Sequence, residues 1–240
     1  AAFYATAGTT GEPKVIPFTA QERERLINLG AVALRLEQWD AITALIALPM
    51  QHGLWIGWSM AQHVVKRAGG APLPVGSDDP QETLHWMRRL EPNVLFSSPS
   101  YLTVLTREAE AQGYRPKLDQ ILVGGETLFD DQRARFVDYW GARVFNSYGT
   151  TEIGGGQTIM LPECDGVMHL NDFHLLTEIV DPETGEPADE GELIFTTLAR
   201  EAAPLLRYRT GDRARWAECD CWMPTRAVRL LGRADTMIVA

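Results

Sequence analysis

The sequence is short of cysteine, of positive charge and of long apolar runs, and each shortage removes a class of protein. There are 3 cysteines in 240 residues: Cys164, Cys219 and Cys221. So low and odd a count does not build the disulfide framework of a secreted domain, and it fits a reducing cytosol. Asp and Glu number 32 against 22 Lys and Arg, a formal net charge of -10. That sign repels polyphosphate backbones, so nucleic acid is not an expected partner. A small anion such as ATP needs only local donors and a metal. No stretch is long and apolar enough to cross a bilayer. Ala41 to Met60 comes nearest, and Pro49, Gln51, His52 and Gly53 interrupt it. There is no initiator Met and no signal peptide. The chain opens inside an expected strand and stops after an apolar run, so it reads as an excerpt of a longer protein.

What remains is ordinary globular composition, 45% hydrophobic and 22% charged, in a chain long enough to bury a core unaided. Thr19 with Glu22 three residues on forms a capping box, which predicts a helix to about Trp39. Strands are expected at Ala41 to Leu48, Pro72 to Val75, Val94 to Ser97, Gln120 to Val123 and Arg143 to Ser147. Helices are expected between them at Gly53 to Arg67, from Asp78 or Asp79 through Leu90, at Pro99 to Gln112 and at Asp130 to Trp140. This alternation predicts an α/β fold with a doubly wound sheet flanked by helices, whose ligands bind beyond the carboxyl ends of the strands. After Ile159 the texture becomes β-rich, with strands at Val167 to Leu170, Leu175 to Asp181, Gly191 to Thr197, Arg213 to Trp216 and Ala227 to Leu231. The expected organisation is an α/β part over 1–158, a β-rich subdomain over 159–231 and a connecting segment over 232–240.

Four segments carry chemistry. Thr6-Ala-Gly-Thr-Thr-Gly-Glu-Pro-Lys14 lets backbone amides and Thr hydroxyls approach phosphate oxygens, and Lys14 adds charge. Its spacing is not that of the Walker loop, and alone it reads as a turn. Asn146-Ser-Tyr-Gly-Thr-Thr-Glu152 follows a strand. Tyr148 offers a ring to a base, Thr151 a hydroxyl, and Glu152 a hard oxygen ligand for Mg²⁺; the plain alternative is a surface loop. In Arg207-Tyr-Arg-Thr-Gly-Asp212, the Asp212 carboxylate is a candidate acceptor for two ribose hydroxyls, or merely a β-turn residue. In Gly232-Arg-Ala-Asp235, Arg233 is a candidate phosphate partner or an exposed ion pair.

Together these segments resemble, in order, the motifs of the adenylate-forming superfamily of acyl-CoA synthetases, adenylation domains and luciferases. Gly191 to Asp212 and Val123-Gly-Gly-Glu-Thr127 look most like phenylacetate-CoA ligase-like enzymes. The resemblance implies activation of a carboxylic acid, aryl or arylacetic by preference, as its acyl-AMP. Thioester formation with coenzyme A would follow. By resemblance, Thr6, Gly8, Thr9, Thr10, Gly11 and Lys14 hold the β- and γ-phosphates. Gly125, Glu126 and Thr127 flank the adenine opposite Asn146, Ser147, Tyr148 and Gly149. Thr151 and Glu152 hold the α-phosphate and metal, Asp212 the ribose, and Arg233 a phosphate. Asp235 matches the hinge of a C-terminal domain. That domain carries a further catalytic lysine, lies outside this sequence, and its omission implies a nearly inactive excerpt. One departure is Ala7, where many relatives have Ser.

Cys164, His169, Cys219 and Cys221 suit a tetrahedral, structural Zn²⁺, and some relatives resemble this chain there. Three reduced thiols with an unrelated His is the alternative, and His174 competes with His169. For the acyl pocket the candidates are His52, Trp55, Trp58, Ser98, Tyr101, Gly149 and Gly154. The tryptophans suit an aryl ring or plain helix core, and His52 suits a pocket or a structural role. The acceptor is coenzyme A or a carrier-protein thiol, and a homodimer is compatible with the sequence. A catalytically silent nucleotide- or acid-binding module is the reading from a different class.

Overall fold

The structure is a computed structural model that describes residues 1–6, 12–39, 42–47, 54–76, 78–156, 158–164 and 166–233. β1 (Ala2–Ala5) and β2 (Val15–Phe18) pair antiparallel around the Gly/Thr segment. α1 (Ala20–Leu36) follows, and the capping box forms: Thr19 Oγ1 accepts from the Glu22 amide at 3.1 Å, and the Glu22 carboxylate accepts from the Thr19 amide. α1 stops short of Trp39, at a left-handed Gln38 with φ 61°.

β3 (Thr43–Ala47), α2 (Ile56–Arg67), β4 (Ala71–Leu73), α3 (Pro80–Leu90), β5 (Val94–Ser97), α4 (Pro99–Ala111), β6 (Gln120–Gly124), α5 (Asp130–Trp140) and β7 (Arg143–Ser147) then alternate. Of the two aspartates proposed to open α3, Asp79 is the cap; it accepts from the Gln81 amide, with Pro80 in the first turn. The strands are all parallel, in the order β4-β3-β5-β6-β7. Side chains alternate across the sheet with period two. Ala44, Ile46, Val94, Phe96 and Phe145 face α1 and α2. Leu45, Ala47, Leu95, Ile121, Val123 and Val144 face α3, α4 and α5. A fully buried Leu or Phe of this kind contributes about 1.5–3 kcal/mol by leaving water. The strand order reverses between β3 and β5, and a doubly wound sheet opens its ligand crevice at such a reversal.

A short ribbon, β8 (Gly149–Thr150) and β9 (Gly155–Gly156), encloses a 3₁₀ turn at Thr151–Ile153. The last part is an antiparallel sheet of β10 (Thr158–Ile159), β11 (Met168–Leu170), β12 (Leu175–Val180), β13 (Glu190–Thr197), β14 (Tyr208–Ala217) and β15 (Ala227–Arg233), ordered β10-β11-β15-β14-β13-β12. Met160, Leu161, Val167, Met168 and Ala227 join the core on the α1–α2 face of the parallel sheet, so the two sheets share one interior. β14 is longer than Arg213 to Trp216. It starts at Tyr208, and its register against β13 shifts between Arg209 and Arg213. The bulge holds Gly211 at φ 75°, and bulges of this kind re-aim a side chain. Asp212 therefore sits on a bulged strand rather than in a β-turn. Among the described residues no helix is long and apolar enough to cross a membrane.

Candidate active site

A cavity of about 1150 Å³ opens beyond the carboxyl ends of β5, β6 and β7 and runs beneath β14 and β15. Thr6 and Lys14 both line it. The Thr6 amide donates to the Lys14 carbonyl at 2.9 Å, and the Lys14 amide donates to Thr6 Oγ1 at 3.0 Å. These two bonds close the base of the Gly/Thr segment. Ala7, Gly8, Thr9, Thr10 and Gly11 lie outside the described residues, as do His52 and Asp235.

The segment after β7 forms the opposite wall, with Asn146, Ser147, Tyr148, Gly149, Thr151 and Glu152 all on the cavity. Glycine is required at 149, because a Cβ there would lie 1.7 Å from the Gly155 carbonyl oxygen. Thr151 Oγ1 reaches the Ala5 carbonyl at 3.5 Å, joining this wall to β1. Tyr208 of β14 donates its hydroxyl to Glu152 Oε1 at 2.8 Å, and Tyr148 donates to Asp212 Oδ2 at 2.7 Å. Burial and then the Glu152 carboxylate raise the Tyr208 hydroxyl's pKa. Burial and then Asp212 push Tyr148 well up. Both hydroxyls thus stay protonated and donate. Arg233 ion-pairs with Asp212 at 3.5 Å. Thr6, Lys14, Thr151, Glu152, Asp212 and Arg233 therefore converge on one space.

Gly125, Glu126 and Thr127 line the cavity across from Asn146 to Tyr148. Both Glu126 oxygens are engaged by Ser100, one by its amide at 2.9 Å and one by its hydroxyl at 2.7 Å. Glu126 is thereby fixed at the first turn of α4.

The pocket candidates divide. Trp55, Gly149 and Gly154 line the cavity. Tyr101 does not. It is buried among α3, α4 and α5 on the opposite face of the sheet, and its hydroxyl lies 2.7 Å from Thr83 Oγ1. Ser98 caps α4 by accepting from the Tyr101 amide, and Trp58 packs against the shared core. For Ser98 and Tyr101 the cause is that α4 leaves the end of β5 toward the far face, which the order of residues does not reveal. Missed altogether were Tyr208 and a run along α1 (Gly30, Ala33 and Leu34) with its C-cap Glu37, all of which line the cavity. The readable signal was their helical spacing, with two small residues where a ligand-facing helix needs room. Glu37 is 3% exposed. Burial pushes its carboxyl up to about 8, against the hydrogen bond it accepts from the Met160 amide at 3.1 Å and the donor that the Trp39 side chain brings.

A second cluster lies in the antiparallel part. One ligand atom each from Cys164, His169, Cys219 and Cys221 falls within 4.8 Å of the others. Cys164 and Cys219 sulfurs are 2.9 Å apart, and Cys221 Sγ is 3.0 Å from His169 Nε2. His169 Nδ1 lies 3.0 Å from the Thr225 carbonyl, which fixes the tautomer that leaves Nε2 free for a metal. Burial, then the neighbouring sulfurs, push the Cys164 thiol up. Burial also acts upward on Cys219, but hydrogen bonds from Cys164, His169 and Cys221 outweigh it and bring that thiol down to about 7. Three sulfurs and one imidazole nitrogen fit tetrahedral Zn²⁺. His174 is not a member; it is buried near Arg200 and Arg25, and burial chiefly lowers its pKa.

A family model described as AMP-binding enzyme matches residues 1–197. Phenylacetate-coenzyme A ligase from Pseudomonas putida is 30% identical over 249 residues, covering 98% of this chain and 55% of that protein. The ligase of the same name from Thermus thermophilus is 31% identical, again over 98% and 55%. The chain thus spans about half the length of the curated relatives it matches. Among solved structures, 2-hydroxyisobutyryl-CoA ligase in complex with 2-HIB-AMP and CoA superposes with a TM-score of 0.88 at 20% identity, over 99% of this chain and 53% of that one. O-succinylbenzoate coenzyme A synthetase from Bacillus subtilis, in complex with ATP and magnesium ion, gives 0.68 at 22%, over 99% and 51%. These two are likenesses of fold.

Proposed function

Since this chain belongs to the AMP-binding enzyme family, we propose that it is the nucleotide- and acid-binding body of an acid–thiol ligase. The observation that carries the reading is the convergence of Lys14, Glu152, Asp212 and Arg233 on one cavity. In the first step a carboxylate oxygen of the acid attacks the α-phosphorus of ATP, the P–O bond to the β-phosphate breaks, and pyrophosphate leaves. In the second, a thiolate attacks the acyl carbon and AMP leaves with the electron pair.

The chain's own groups supply binding and orientation. The Thr6–Lys14 segment and Arg233 meet the phosphate charge, and Thr151 stands at the α-phosphate. Asp212 accepts the ribose hydroxyls, held in place by the Tyr148 hydroxyl. Gly125 to Thr127 and Asn146 to Tyr148 enclose the base. Glu152 is the carboxylate for Mg²⁺, which when bound neutralises phosphate charge. Trp55, Gly149 and Gly154 border the acid, and Asp235 belongs to the hinge. An aryl acid and coenzyme A are the preferred substrates because the relatives carry CoA-ligase names, three of them as 4-chlorobenzoate–CoA ligases; a carrier-protein thiol is chemically equivalent as acceptor. Cys164, His169, Cys219 and Cys221 would hold a structural Zn²⁺, which cross-links the segment after β10 to the β14–β15 connection. The few unpaired cysteines suit the cytosol.

The test is acid-dependent pyrophosphate release by the longer protein that contains this chain. Activity should appear with aryl acids and fall by roughly 100-fold or more in Glu152→Gln and Asp212→Ala. ATP binding without release from any acid would convert the reading to a silent nucleotide-binding module.

A further inference from the structure

The cavity has a second arm, away from the phosphate-binding groups. It runs along α1. Near the start of that helix, Leu26 lies against Gly154, whose added Cβ would meet Leu26 Cδ1 at 2.8 Å. At the other end, Gln120 Nε2 donates to the Gln38 carbonyl at 3.2 Å, which puts the end of α1 over the first residue of β6. The arm therefore crosses the sheet from its carboxyl edge toward its amino edge. From Leu26 to Glu37 a helix rises about 16 Å, at about 1.5 Å per residue. The walls are apolar: Ala33 and Leu34 of α1, Val64 of α2, Phe96 and Leu122 of the sheet, and Met160. Glu37, the C-cap of α1, alone among the cavity-lining residues of α1 and its cap ends in a carboxyl group.

We propose that Glu37 closes the acyl arm of the cavity and selects carboxylic acids with an apolar body and a hydroxyl at the end remote from the reacting carboxylate. The inference rests on the ligase reading above and deepens it by naming the substrate class. The Glu37 carboxyl accepts from the Met160 amide at 3.1 Å, and the Trp39 side chain stands beside it as a second donor. A protonated carboxyl offers a donor as well as its remaining acceptor capacity. No cation offsets its burial, so the neutral form is favoured. An acid that fills the arm and ends in a methyl or a bare ring edge offers the carboxyl's own proton no acceptor, since Met160 and Trp39 both act on this group as donors. An acid ending in a hydroxyl satisfies it, and buried polar groups discriminate strongly against analogues that lack the matching group. The arm also exceeds the reach of a ring and one methylene, so the body is extended.

The test uses matched acids with the longer protein: cinnamate against 4-hydroxycinnamate, and octanoate against 8-hydroxyoctanoate. Acid affinity is read by calorimetry and pyrophosphate release by turnover, so the binding measurement stands even where no acid is activated. The wild type should prefer the hydroxylated member by about 10- to 100-fold. Glu37→Gln should keep a preference of the same sign, and Glu37→Met should abolish or reverse it, with ATP affinity unchanged. Equal affinity within each pair in the wild type overturns the proposal, whether or not the variants fold. A wild-type preference that survives in folded Glu37→Met overturns it too. Loss of turnover alone, with the affinity pattern intact, overturns the ligase reading and leaves this one supported.

Discussion

The cavity mouth and the cysteine–histidine cluster both gather side chains from distant segments, yet they are held together differently. At the mouth each candidate carboxylate has its own tyrosine: Tyr208 on Glu152 and Tyr148 on Asp212. The scaffold keeps these groups in place while leaving about 1150 Å³ open beside them. In the cluster the four side chains meet one another, with ligand atoms within 4.8 Å. That leaves room for an ion and for nothing larger. An open site framed by satisfied acceptors suits ligands that come and go, whereas a closed set of four soft donors suits a metal that stays. The first arrangement should fail in chemistry and the second in stability.

The largest expected effect on that contrast comes from the cluster. Purified protein should carry about one zinc per chain, a ratio that follows from four tetrahedral ligands. Cys219→Ser with Cys221→Ser should lower the Tm by on the order of 5–10 °C, as a loss of a few kcal/mol does in a domain of this size. ATP affinity should stay near wild type, because none of the four residues lines the cavity. Differential scanning calorimetry with metal analysis reads both. Undiminished Tm in the zinc-free variant would make the cluster three reduced thiols beside a histidine.

A smaller effect belongs to Tyr208→Phe. The change keeps the ring and removes one hydrogen bond to a carboxylate oxygen, worth about 1.5–3 kcal/mol. Pyrophosphate release should drop by roughly 10- to 100-fold, with the loss in kcat/KM and little change in Tm. If the variant instead melts early at full activity, Tyr208 braces the β14 bulge and Glu152 does not depend on it.

Much of the parallel half was legible because its signals are local. Val94 to Ser97, Asp130 to Trp140 and Arg143 to Ser147 have the predicted bounds. The Thr19–Glu22 capping box and Asp79–Pro80 start α1 and α3 through contacts within three residues. The bulge at Thr210 to Asp212 was not legible, since it exists only against β13. Nor was the face on which α4 packs, so Tyr101 was assigned to a pocket on the wrong side of the sheet. The phosphate, metal and ribose candidates were nameable from residue type and from the resemblance, and those within the described residues line one cavity. Their partners, Tyr148 on Asp212 and Tyr208 on Glu152, depend on approaches across 64 and 56 residues, which no local pattern encodes. Cys164, His169, Cys219 and Cys221 come from three separate stretches, and only the sheet order decides for His169 over His174.

The last test concerns the apolar arm rather than the mouth, and it is a matter of pH. The Glu37 carboxyl moves from 4.5 to about 8 on folding, chiefly through burial. Between those values the folded chain holds a proton that the unfolded chain has released. Stability must therefore fall as pH rises through that window, and level off above it. Glu37→Gln removes the titration while keeping an acceptor for the Met160 amide. Its Tm should decline less than the wild type's between about pH 5 and about pH 8, and the two curves should diverge toward the alkaline end. Parallel curves over that range would mean that water reaches the carboxyl, that it ionises as it does in the open chain, and that the arm is wet at its closed end.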